Sequence, residues 1–85
     1  MHLTEKEKQV LKAFKDDCYV GDVGWENEGA MTWTDEFSLD MQSDYGMAPS
    51  TFSGVMSSLY KKGLLYGNNE SFGLTKKGVE AARSV

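Results

Sequence analysis

Cysteine, proline, histidine and arginine each occur once in these 85 residues, and nine of the thirteen acids fall in a stretch with no base at all. Each scarcity excludes something. With Cys18 alone, no intrachain disulfide forms, which fits a reducing compartment. His2 is poorly placed at the terminus to serve as the base of a Ser–His or Cys–His pair. There is no Cys or His set at zinc spacing, and the acids between Asp16 and Glu28 do not follow a calcium-loop register. No glycine-rich phosphate loop precedes a helix. The sequence therefore predicts no catalysis, no cofactor and no metal. No apolar run approaches the roughly 20 residues of a membrane span. The first residues enter a charged helical pattern without signal-peptide character, so the expected location is cytoplasmic, with no membrane partner.

What is present suits one small domain over residues 1–85. Hydrophobic residues make up 40%, including two Trp, four Tyr and four Phe, enough for a packed core. The net charge of −4 is segregated. Residues 1–15 carry four lysines against two acids. Residues 16–44 carry nine acids and no lysine or arginine. Residues 45–85 carry five bases against two acids. An acidic chain is not a nonspecific coat for nucleic acid, although a local basic face remains compatible with it.

Hydrophobic periodicity predicts a first helix over 4–18, with Thr4 and Glu7 as a capping box and Leu3, Val10, Leu11, Phe14 and Cys18 on one arc. An irregular acidic segment over 19–33 follows, long for a connection, with short extended pieces at Tyr19-Val20 and 30–33. A helix over 34–45 starts at Thr34 as cap and carries a Phe37, Met41, Tyr45 stripe. Gly46 ends it. A third helix over 49–62 has Pro49 in its first turn and Phe52, Val55, Met56 and Leu59 at core spacing. A hairpin over 64–74 turns at Gly67–Glu70, and a last helix over 75–83 is capped by Thr75. The expected class is mainly α with a small β-hairpin (α+β).

The run "GMAPSTFSGVMSSLYKKGLL", Gly46–Leu65, resembles the turn and recognition helix of winged helix-turn-helix proteins. "SFGLTKKGVEAA", Ser71–Ala82, resembles the second wing strand and following helix of MarR-like and PadR-like regulators. The resemblance implies a three-helix core, a wing and a short C-terminal helix. It further implies a transcriptional regulator that reads double-stranded DNA, usually as a homodimer on two half-sites. Carried over residue by residue, the DNA-facing positions are Ser50, Thr51, Ser53, Gly54, Ser57 and Ser58, with Lys61, Lys62, Lys76 and Lys77 near phosphates and Asn68 and Asn69 at the wing tip. This chain departs from the pattern in having no arginine on that helix, and Asp35 and Glu36 open the helix before it. Modest affinity with steep salt dependence is the consequence. A second expectation is a protein-contact module, in which Trp25, Glu26, Glu28 and Trp33 of the acidic stretch meet a basic protein partner.

Overall fold

The computed structural model describes residues 2–17, 24–26, 30–68 and 70–85. Helix α1 (Glu5–Asp17) begins on the expected capping box: the Thr4 N–H donates to Glu7 Oε1 at 2.8 Å, and the Glu7 N–H donates to Thr4 Oγ1 at 3.2 Å. Two of the orphan amides at the helix start are thereby satisfied. Val10, Leu11 and Phe14 are fully buried along its inner face. Cys18, Tyr19 and Val20 lie outside the described residues.

The short extended piece expected at 30–33 is strand β1 (Met31–Trp33), which passes directly into α2 (Thr34–Tyr45). This displaces the expected cap. Trp33, in extended conformation, takes the N-cap position without a side-chain bond. The Thr34 N–H donates to the Glu70 carbonyl at 2.8 Å, and Thr34 Oγ1 is buried with no hydrogen-bond partner among the described residues. The reason is tertiary: β1 pairs with a strand about 40 residues away up to Trp33, so the hairpin takes the amide and Thr34 falls inside the first turn. Phe37 and Met41 are buried, whereas Tyr45, predicted on the same stripe, is 38% exposed at the helix end. Gly46 adopts the left-handed conformation (φ 65°) and its N–H and that of Met47 close the helix on Gln42 O and Met41 O.

Helix α3 (Pro49–Lys61) starts with Pro49 and buries Phe52, Met56 and Leu59. The hairpin follows as β2 (Leu65–Gly67) and β3 (Ser71–Leu74). It starts one residue later than expected, because Leu64 donates its N–H to Leu59 O and accepts the Thr75 N–H. Helix α4 (Lys76–Arg83) is capped by Thr75 Oγ1, which accepts the Gly78 N–H at 3.1 Å. The described sheet is antiparallel in the order β1–β3–β2, so the central strand is the last in sequence. Phe72 of β3 joins the layers: its ring meets Phe14 of α1 at 5.6 Å and, edge-on, Phe37 of α2 at 5.1 Å. The architecture is mainly helical with a small antiparallel sheet. No helix is long and apolar enough to cross a membrane among the described residues.

Candidate nucleic-acid interface

Amphipathic spacing puts Phe52, Met56 and Leu59 of α3 into the core, packs Val55 against it and leaves the opposite side of the helix outward. Ser50, Ser53, Gly54, Ser57 and Lys61 are exposed, and Thr51 is half-buried. A Cβ added at Gly54 would meet no atom within 4 Å. Beside this face, α3, the first turn of α2 and the hairpin enclose an open cleft of about 480 Å³, lined by the buried Phe52 and Met56 and by Asp35, Ser53, Lys61 and Asn68.

Two residues expected to face DNA are committed elsewhere. Ser58 Oγ donates to Glu7 Oε2 at 2.8 Å. Lys62 Nζ donates to Glu7 Oε1 at 2.6 Å and to the His2 carbonyl at 3.0 Å. Glu7 is 1% exposed, so the Lys62 charge is matched by a buried carboxylate instead of being held out to solvent. Burial alone would push the Glu7 carboxyl up. Hydrogen bonds from Lys62, Thr4 and Ser58, with the Lys62 charge, outweigh burial and bring it down to about 2 from an ordinary 4.5. A signal for this was present in the sequence. Glu7 stands at position i of an i, i+3, i+4, i+7 series with Val10, Leu11 and Phe14, which places it on the inward face as well as in the capping box.

The remaining cations stay outward. Lys61 ends α3, and Lys76 and Lys77 open α4; all three are exposed. Thr75 Oγ1 donates to the Gly63 carbonyl at 2.6 Å and the Thr75 N–H to Leu64 O at 3.0 Å, fastening the start of α4 to the end of α3. That first turn carries two lysines and no acid, against the preference of a positive helix end. Asn68 is exposed, with its Oδ1 accepting the N–H groups of Glu70 (2.8 Å) and Ser71 (3.1 Å), so its side chain builds the hairpin turn. Asn69 lies outside the described residues.

The alternative contact set divides. Trp25 is half-buried against the core, with Lys15 Nζ 5.4 Å from its ring centroid. Lys15 also donates to the carbonyls of Ala82 (2.9 Å) and Val85 (2.8 Å), tying α1 to the last residues of the chain. Glu26 pairs with Arg83 at 2.6 Å. These contacts tie Trp25 to α1 and Glu26 to α4. Glu28 lies outside the described residues, and Trp33 is 48% exposed on the edge strand β1. No group of three or more His, Cys, Asp or Glu residues is placed to hold a metal ion among the described residues. Recognition by a surface of hydroxyls, amides and ammonium groups is the chemistry this arrangement offers. Comparison with family models, curated proteins and solved structures finds no match to this chain.

Proposed function

We propose that this chain is a winged-helix protein that binds double-stranded DNA, with α3 in the major groove and the β2–β3 hairpin as the wing. The pair α2–α3, joined by a short turn and followed at once by the hairpin, is consistent with the resemblance carried by Gly46–Leu65. The observation that carries the reading is the outer face of α3. Ser50, Ser53, Gly54 and Ser57 are exposed, the three serine hydroxyls make no hydrogen bond among the described residues, and Lys61 on α3 and Lys76 and Lys77 at the start of α4 are exposed and form no ion pair among those residues. Small hydroxyl side chains let a helix approach closely and donate to phosphate oxygens, and the lysines supply the attraction. With no arginine on α3, bidentate reading of guanine is missing, and affinity rests on the backbone. The test is an NMR titration with a mixed-sequence duplex at low salt. Shifts concentrated in residues 50–61 and in the hairpin turn support the reading. Absence of shifts, or binding indifferent to salt, refutes it.

A further inference from the structure

Helix α2 has a second face that the DNA reading leaves unused. Phe37 and Met41 point inward, Phe37 meeting Phe52 at 5.8 Å. At 100° per residue, Leu39 lies about 160–200° round the helix from both. Among the described residues it is the most exposed of the large hydrophobic side chains, at 63%. Its neighbours one turn away are Asp35, Glu36, Gln42 and Ser43, all exposed, with Asp40 beside it. None of these carboxylates makes an ion pair among the described residues. The helix has no lysine or arginine anywhere in its length, and Trp33, 48% exposed, stands immediately before it.

We infer that this face docks a basic, amphipathic segment of a partner protein, one apolar side chain seated on Leu39 and lysine or arginine groups meeting Glu36 and Asp40. Charge complementarity selects this occupant. DNA is repelled by the carboxylates, and a second copy of the chain apposed through the same face would set acid against acid. One exposed leucine is a small apolar area, which suits a short segment better than a whole domain. Because Leu39 points away from α3, the inference does not depend on the DNA reading.

The experiment is a titration of the whole chain with a short amphipathic peptide of leucine and lysine, followed by NMR. The same peptide with glutamate in place of lysine serves as control. The lysine peptide is expected to shift residues 36, 39, 40 and 43, and Leu39→Ser is expected to weaken it roughly tenfold. Leu39 is outside the core, so Leu39→Ser keeps the fold; the double variant Glu36→Gln with Asp40→Asn, equally exposed, is expected to lose affinity and salt dependence together. Shifts spread over all acidic residues with Leu39→Ser binding as tightly as the parent would overturn the inference, as would equal binding of the glutamate peptide. Concentration-dependent self-association abolished by Leu39→Ser would assign the face to a second copy and overturn it as well.

Discussion

Glu7 has the most consequences of any single residue. Its side chain sits at the crossing of α1 and α3, accepts from Thr4, Ser58 and Lys62, and is closed to solvent. A carboxylate so placed is stable only while every acceptor position is used and the cation stays near. Its folded-state value of about 2 lies below the ordinary 4.5. The stability it contributes is therefore complete above about pH 4.5 and is lost as pH falls toward 2, a difference on the order of 3 kcal/mol. Urea unfolding across that window is expected to show this acid-side decline. Glu7→Gln keeps the shape but not the charge. It is expected to lower stability at neutral pH by about 2 kcal/mol and to flatten the curve between those limits. An unchanged acid limb in Glu7→Gln would show that other carboxylates produce it.

At the scale of the element, α3 holds a glycine in mid-helix where nothing crowds it, and α4 holds one where everything does. Gly54 has open space around it and costs the helix about 0.5–1 kcal/mol relative to alanine. Gly54→Ala is expected to raise the midpoint of thermal unfolding by roughly 3–6 °C. Gly78 lies against the Leu64 carbonyl, so a methyl group there would overlap backbone that cannot yield. Gly78→Ala is expected to destabilise by more than about 2 kcal/mol in the same measurement. Element boundaries set by local chemistry were legible in advance. The Thr4–Glu7 box, Pro49 at the start of α3, Gly46 after α2 and Thr75 before α4 depend on neighbours within a few residues. What needed tertiary information was not: a short extended piece was expected at 30–33, but not that β3 pairs with it from about 40 positions away. That pairing removed Thr34 from its expected capping role. The site was legible to the same extent: periodicity along α3 separates its inner and outer faces, but the loss of Ser58 and Lys62 from the outer face depends on Glu7, more than 50 positions away.

Over the whole molecule, charge decides how a chain of net charge −4 approaches a polyanion. The acids of α2 face away from or beside the proposed DNA surface, and the cations available to it reduce to Lys61, Lys76 and Lys77, since Lys62 answers Glu7. Each phosphate neutralised releases a counterion, so three contacts give log K against log salt a slope of about −2.7. Replacing any one of the three lysines by alanine is expected to reduce the slope by about 0.9. Lys62→Ala separates the two kinds of lysine: it uncovers a buried carboxylate and lowers stability, yet leaves the slope unchanged because its charge was never offered to the phosphates. Asp35→Asn removes a carboxylate from the cleft that Lys61 also lines, and is expected to strengthen binding at low salt. Fluorescence anisotropy of a labelled duplex over a range of salt measures all of these. If Lys62→Ala flattened the slope as much as Lys61→Ala, the Glu7 pairing would not survive contact with DNA, and the binding surface would extend to the junction of α1 and α3.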